Sequence, residues 1–168
     1  EMVKDKEQLG VAISNFAASG AEKLRAQHSA AESVTVYITT NFFRNDLPQY
    51  YNTATIEFPE ATNSTVDIVR ECKRGLDAIF RDGFQYKKGG VILGGIIPEN
   101  QVQQNLFVES SYDKMKNINN LLDSVNRKFG RNKLHLAVQG NATTSGDAAE
   151  KWQMRREHLS KNYTTNLN

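Results

Sequence analysis

The sequence predicts an α+β fold in which helices cover one face of an antiparallel sheet. Two observations indicate it. Apolar residues recur at steps of three and four in some segments and alternate with polar residues in others. The two kinds of segment follow one another as helix, strand, strand, helix, strand. This is the order of a two-layer, ferredoxin-like βαββαβ sandwich without its first strand, which we expect to precede residue 1.

The first three elements are predicted by their periodicity. A helix over residues 5–27 has one apolar stripe, and a strand that begins at Ser33 has one buried face. After a turn that contains Pro48, a second strand repeats the two-residue alternation. The apolar positions are Leu9, Ile13, Phe16 and Leu24 in the helix, Val34, Val36 and Ile38 in the first strand, and Ala54, Ile56 and Phe58 in the second.

The remaining elements begin with an N-cap at Ser64, with Asp67 three residues later, and a second helix that ends near Gly83. A third strand over residues 84–93 is expected to bulge at its two adjacent glycines, Gly89 and Gly90. A third helix runs from about residue 111 to Phe129. A short fourth strand is predicted at Leu134, Leu136 and Val138.

The chain divides into a domain at residues 1–97, a linker at 98–110 and an extension at 111–168. With 168 residues, 39% of them hydrophobic, it has the composition of a globular protein, and no apolar run reaches the length of a membrane span. We expect a cytoplasmic location, because residues 1–168 hold a single cysteine, Cys72, and begin without a signal peptide. Residues 101–168 are the basic part, with ten Lys and Arg against six Asp and Glu.

Residues suited to catalysis or metal binding are hard to find in this sequence. The three histidines, His28, His135 and His158, lie far apart and none has a cysteine or carboxylate at the spacing of a metal site. Cys72 occupies an apolar helical position, where a buried small side chain is expected rather than a nucleophile. The sequence therefore predicts a binding module without catalytic residues, metal or cofactor.

One candidate binding surface is the face of the sheet opposite the core. Neutral hydroxyl donors with a few cations suit contact with the phosphates of DNA irrespective of sequence. The alternative is that threonine and tyrosine are simply good strand residues on a solvated face. The candidate DNA-binding residues are Thr35, Tyr37, Thr39, Thr53 and Thr55 on the strands, and Arg44, Lys87 and Lys88 at or near the strand ends.

A second candidate is the peptide at residues 103–107 in the polar linker. It places Leu106 and Phe107 next to each other after Gln103, Gln104 and Asn105. These two apolar side chains either bind in the cleft of a partner or pack under the third helix beside Met115 and Ile118.

Several strings of this sequence together resemble the C-terminal part of the Y-family translesion DNA polymerases, specifically the UmuC-like catalytic subunit of bacterial error-prone DNA polymerase V. The most specific are residues 83–94, with Gly83-Phe84-Gln85-Tyr86-Lys87-Lys88, and the tail at 152–165, which opens with Trp152-Gln153-Met154-Arg155-Arg156. The others are residues 21–25, 33–37, 76–80 and 104–107.

The resemblance implies that residues 1–97 are the little finger, the domain that lays its sheet against primer-template DNA, followed by a UmuC-type extension. Residues 103–107 resemble the peptide that binds the bacterial sliding clamp. The palm acids that hold Mg are absent, so the resemblance implies no catalysis by this chain. A UmuD-type subunit and a recombinase filament are implied as further partners of the parent polymerase in SOS mutagenesis and DNA damage repair.

Two other classes of function remain open from the sequence. A free-standing clamp-binding adaptor would keep Leu106 and Phe107 but would need no DNA-binding face. A ferredoxin-like RNA-binding module would need exposed aromatic side chains on its central strands, where only Tyr37 qualifies.

Overall fold

The structure is a computed structural model that describes residues 2–102, 112–130 and 133–140. Its strands are β1 (Ser29–Thr40), β2 (Tyr51–Thr62) and β3 (Tyr86–Pro98). Its α-helices are α1 (Lys6–Ala26), α2 (Thr65–Ile79) and α3 (Tyr112–Phe129), and two 3-10 turns cover Glu99–Gln101 and Ala137–Gln139. The predicted α+β class and the order of elements up to β3 are confirmed.

The three strands form one antiparallel sheet in the order β2-β1-β3, so β1 is central and pairs with both neighbours. Ahead of α1, Val3 forms a single antiparallel bridge with Tyr86 on the outer edge of β3. The chain therefore approaches α1 along the outer edge of β3.

The core lies between α1 and α2 on one side and one face of the sheet on the other. Val34, Val36 and Ile38 are fully buried, as the alternation along β1 predicts. From the helices, Ile13 and Cys72 are buried in the same cluster. Because these side chains pack against the two helices, no helix among the described residues covers the opposite face of β1.

Both helices that cover the sheet begin at side-chain caps. Ser64 Oγ accepts a hydrogen bond from the Asp67 backbone N–H at 3.3 Å, which confirms the predicted start of α2. Asp5 caps α1 in the same way, with its carboxylate oxygens accepting from the N–H groups of Glu7 and Gln8. These bonds satisfy backbone donors that have no partner inside the helix.

The bulge in β3 lies at a different place from the predicted one. Gly89 and Gly90 pair in regular register with β1, whereas the register shifts between Thr39 and Thr40, which oppose Lys88 and Tyr86. Gly90 is needed for close approach instead, because a Cβ at this position would lie 2.7 Å from the Tyr37 ring. The strand also runs further than predicted, to Pro98.

The predicted fourth strand is wrong. Residues 137–139 form a 3-10 turn, and the backbone around them bonds to side chains rather than to a neighbouring strand. Leu134 N–H donates to Asn126 Oδ1 at 2.9 Å, and Leu136 N–H donates to Gln139 Oε1 at 2.8 Å. Alternation over so few residues does not specify a strand when no sheet edge lies beside it.

Arg25 joins α3 to the rest of the domain. Its Nε and Nη2 donate to the two carboxylate oxygens of Asp123, both at 2.7 Å. Nη1 donates to the Asn63 carbonyl at 2.8 Å and to Thr65 Oγ1 at 2.9 Å. The Arg25 side chain is 12% exposed and that of Asp123 is 24% exposed. One guanidinium therefore links α1, the start of α2 and α3.

We expect Asp123→Ala to lower the free energy of unfolding by about 1.5 to 3 kcal/mol, because it removes charge-assisted bonds from a largely buried guanidinium. Denaturant unfolding measures the loss. Asp77→Ala is the control, since Asp77 pairs with Lys6 in an exposed ion pair at 2.9 Å that contributes little. Equal effects of the two substitutions would contradict the anchoring role of Arg25.

Candidate nucleic-acid interface

The register of the strands places the predicted DNA-binding residues on the open face of the sheet. Thr35 opposes Thr55, Tyr37 opposes Thr53, and Thr39 opposes Tyr51 and Lys88. Directly opposed residues of antiparallel strands share a face, so these rows lie on the side away from the helices. We call this surface the open face; it comprises Ser33, Thr35, Tyr37 and Thr39 on β1, Tyr51, Thr53, Thr55 and Glu57 on β2, and Lys88, Gly90, Ile92 and Gly94 on β3.

Lys87 and Lys88 are brought together by the bulge. Tyr86 and Gly89 both face the core side, since they oppose Thr40 and Ile38. Two residues lie between them where a regular strand has one, and both are exposed lysines. A bulge of this kind sets two residues against one on the partner strand. Within the part of the chain that the structure describes, neither lysine has an ion pair, so both charges are available to a ligand.

The threonines of the open face differ in whether their hydroxyl groups are available to a ligand. Thr35 Oγ1 and Thr55 Oγ1 lie 2.8 Å apart and share one hydrogen bond, which leaves one hydroxyl hydrogen for a ligand. Thr53 is exposed. Thr39 is only 8% exposed, and its hydroxyl donates to the Thr40 carbonyl at 3.2 Å. The prediction of Thr39 as a contact residue therefore does not fit its burial.

Tyr37 is half-buried in the middle of the open face. The Tyr37 ring packs directly over Gly90 on β3, so closely that a Cβ at residue 90 would clash with it. Because one side of the Tyr37 ring is packed on Gly90, the ring is less available for stacking with a base. The RNA-binding alternative, which depended on Tyr37 alone, gains no support from this arrangement.

Arg44 lies in the loop between β1 and β2 and is already paired. Its Nε and Nη2 donate to the two carboxylate oxygens of Asp46 at 2.7 and 2.6 Å. The hydrogen bond from Arg44 holds the pKa of Asp46 at about 2, below its ordinary value, while the same pair raises the pKa of Arg44. The pair therefore stays charged at neutral pH and adds no net charge to the surface.

The charges of this side of the domain are unevenly distributed. The sheet end next to the β1–β2 loop carries Lys87 and Lys88, and Arg81 lies nearby with its guanidinium 5.5 Å from the Tyr50 ring. The other end carries Glu32 and Glu57. A polyanion would therefore be attracted to the loop end of the sheet rather than to its whole length.

Two exposed features at the loop end were not singled out in the sequence. Phe42 and Phe43 in the β1–β2 loop are 57% and 92% exposed, and Tyr51 on the open face is 58% exposed. Ile92 is also exposed, but it lies further along β3, opposite Thr35. The adjacent aromatic pair in a polar turn was the signal that could have identified the loop.

No other cluster with a clear chemistry emerges from the described residues. Among them, no group of three or more His, Cys, Asp and Glu could hold a metal ion. Burial raises the pKa of the Cys72 thiol to about 12, so this group stays protonated and unreactive. A cleft of about 1180 Å³ lies between α1 and α3, with Arg25, Asp123 and charges of both signs in its walls. None of the described helices is long and apolar enough to cross a membrane.

The candidate clamp-binding peptide, with Gln103, Gln104, Asn105, Leu106 and Phe107, lies outside the described residues, as does the tail at 152–165. The 3-10 turn at Glu99–Gln101 ends the sheet domain just before this peptide.

Comparison with known proteins decides the family. Residues 1–106 match the family described as the impB/mucB/samB family C-terminal domain. The chain belongs to this family. Its sheet domain, with the open face, lies within the matched range. Residues 116–168 match a second family, described as a domain of unknown function (DUF4113).

Individual members of the impB/mucB/samB family align with nearly the whole chain. Protein UmuC of Salmonella typhimurium is 34% identical over 166 residues, which are 98% of this chain and 38% of that protein. Protein ImpB of Salmonella typhimurium is 33% identical, with 98% of this chain and 37% of the relative aligned. Protein MucB of Escherichia coli is 31% identical over 98% of this chain and 36% of its own length. The resemblance to UmuC-like proteins is confirmed, and this chain spans less than two fifths of these relatives.

The Arg44–Asp46 pair gives a pH prediction. Since Asp46 has its pKa lowered to about 2, the contribution of the pair to loop order is present above the ordinary value of 3.8 and is lost as the pH falls through about 2. An NMR titration of the Asp46 carboxyl carbon is expected to give a midpoint near 2, and Arg44→Ala should return it toward 3.8. A midpoint unaffected by Arg44→Ala would contradict the pairing.

Proposed function

We propose that this chain is the DNA-binding and sliding-clamp-binding C-terminal region of an error-prone translesion DNA polymerase that acts in SOS mutagenesis and DNA damage repair. Its membership of the family that includes proteins UmuC, ImpB and MucB supports this role. The single observation that carries the DNA-binding part is the bulge in β3, which keeps both Lys87 and Lys88 exposed at the loop end of the sheet.

The open face suits contact with the DNA backbone. It combines two unpaired lysines with exposed hydroxyl groups of Thr53 and of the Thr35–Thr55 pair. Hydroxyl groups and ammonium groups bond phosphate oxygens but carry no base-specific pattern. The binding should therefore be weak, insensitive to DNA sequence and dependent on salt.

The clamp-binding part of the proposal rests on residues 103–107. Pro98 and the 3-10 turn at Glu99–Gln101 end the sheet domain just before this peptide. In an extended peptide, Leu106 and Phe107 would insert into a clamp pocket while the Gln103 amide forms a directional hydrogen bond. Two buried apolar side chains of this size contribute about 1.5 to 3 kcal/mol each.

Nucleotidyl transfer belongs, in this proposal, to a longer parent protein. The Mg ions of that reaction need paired carboxylates, which the resemblance assigns to the palm of the parent polymerase and not to its little finger. The parent would work in the cytoplasm with primer-template DNA, and a UmuD-type subunit and a recombinase filament would be its further partners.

The DNA-binding proposal is tested with Lys87→Ala/Lys88→Ala. Wild-type binding is expected to involve about two to four phosphates, and each lost lysine should reduce the slope of log affinity against log salt by about 0.9, equally for all DNA sequences. Fluorescence anisotropy with several duplexes at a series of salt concentrations measures it. Lys73→Ala/Arg74→Ala on α2 removes the same charge from the opposite layer and should leave the slope near the wild-type value. A strong preference for one sequence would overturn the proposal.

The clamp-binding proposal is tested with Leu106→Ala/Phe107→Ala. Surface plasmon resonance on immobilised bacterial sliding clamp should show binding by the wild type and none by this variant, because both anchors are lost. Leu121→Ala/Phe129→Ala is the matched control, since these α3 side chains are 58% and 61% exposed. If the first variant instead melts several degrees lower and still binds the clamp, the two side chains belong to the core and the proposal fails.

A further inference from the structure

The loop that joins β1 to β2 presents two adjacent aromatic side chains to solvent. Phe42 is 57% exposed and Phe43 is 92% exposed. Phe43 is therefore almost without packing contacts, unlike Tyr50 at the other end of the same loop, whose ring lies 4.8 Å from that of Phe84. A large apolar side chain so far out of the core does nothing for folding and has its whole ring free for a ligand.

Hydrogen bonds within the loop fix the backbone that carries Phe43. Asn41 Oδ1 accepts from the Phe43 N–H at 3.2 Å, and the Asn41 carbonyl accepts from the Arg44 N–H at 3.0 Å. Gln49 Nε2 donates to the carbonyls of Arg44 and Leu47 at 2.7 and 3.0 Å. A loop that is already ordered loses little conformational freedom when it binds, so an aromatic contact made from it is efficient.

The same end of the sheet carries the available positive charge. The loop leaves β1 at Thr40 and enters β2 at Tyr51, and the adjacent row of the open face is Tyr51, Thr39 and Lys88. Strand spacing places Tyr51 and Lys88 about 10 Å apart across β1. Aromatic side chains and two unpaired lysines therefore meet at one end, while Glu32 and Glu57 occupy the other.

Exposed aromatic rings and cations at one end of a surface are the combination that binds single-stranded nucleic acid. Bases stack on the rings whatever their identity, and the cations follow the phosphates. A base-paired duplex keeps its bases stacked inside and offers little to an exposed phenyl ring. The arrangement thus favours an unpaired strand, whose bases and phosphates match the rings and the lysines together, whereas a second protein would need an apolar patch beside carboxylates to fit the same end.

From this arrangement we infer that the β1–β2 loop binds unpaired template DNA, with a base stacked on Phe43 and the adjoining phosphates on Lys87 and Lys88. The inference rests on the proposed DNA-binding function and extends it from duplex backbone to single strand. The chain would then distinguish a primed template with an unpaired extension from a blunt duplex.

The test compares Phe43→Ala with the wild-type 168-residue chain on three labelled DNA probes: a blunt duplex, the same duplex with an unpaired extension, and the single strand. Loss of one stacked base should weaken binding of the last two by about five- to a hundred-fold and leave the duplex unchanged. Phe43→Trp should bind all three probes as the wild type does, because the indole ring also stacks on a base. Ile96→Ala removes a 46% exposed apolar side chain from the acidic end of β3 and should change none of the three.

The outcomes separate this inference from the proposed function. If Lys87→Ala/Lys88→Ala weakens binding to all probes while Phe43→Ala weakens none, the DNA-binding function stands and the stacking role is overturned. If Phe43→Ala weakens duplex and single strand alike, the ring does not select unpaired bases, and the inference is again overturned. If the wild type binds none of the probes, both fail. Because Phe43 is almost fully exposed, its replacement should leave the melting temperature unchanged, which circular dichroism checks on the same samples.

Discussion

Burial of one face of β1 is the constraint on which the rest of the domain depends. Val34, Val36 and Ile38 are fully buried under α1 and α2, so every residue between them faces the other way. A shift of one residue in register would exchange the two faces and expose this core. Packing of the core therefore decides which polar side chains form the open face, although none of those side chains contributes to the packing.

The bulge in β3 resolves a conflict between the core and the open face. Tyr86 is fully buried, with its hydroxyl donating to the Arg81 carbonyl at 2.7 Å and accepting from the Arg81 N–H at 3.0 Å. Strict alternation would then place Lys88 on the core side, where an unpaired ammonium is very costly. One extra residue at the bulge lets Tyr86 stay inside while Lys87 and Lys88 stay outside. The same local irregularity thus protects the core and concentrates positive charge on the surface.

Two kinds of surface meet at the loop end of the sheet. The strands supply the open face, in which Gly90 leaves room for the Tyr37 ring. The loop beyond the strands supplies exposed aromatic side chains. The Arg44–Asp46 pair links two residues of the loop and adds no net charge that could attract a ligand, since its two charges cancel. The chemistry of this end therefore comes from Lys87 and Lys88 and from exposed rings, and only part of that set stands on regular strands.

The sequence by itself determined the α+β class, the helices and strands up to β3, the N-cap at Ser64 and the buried face of β1, because periodicity and caps are local properties. Its strings also led to the family. Only the tertiary structure decided where the bulge lies, that Thr39 is buried, that Arg44 is paired, and that residues 134–138 bond to side chains instead of forming a strand. Each of these depends on which atoms a distant or neighbouring segment brings into reach. Arg25 shows this most plainly: its bond to Asp123 spans 98 positions of sequence, and no local pattern predicts such a partner.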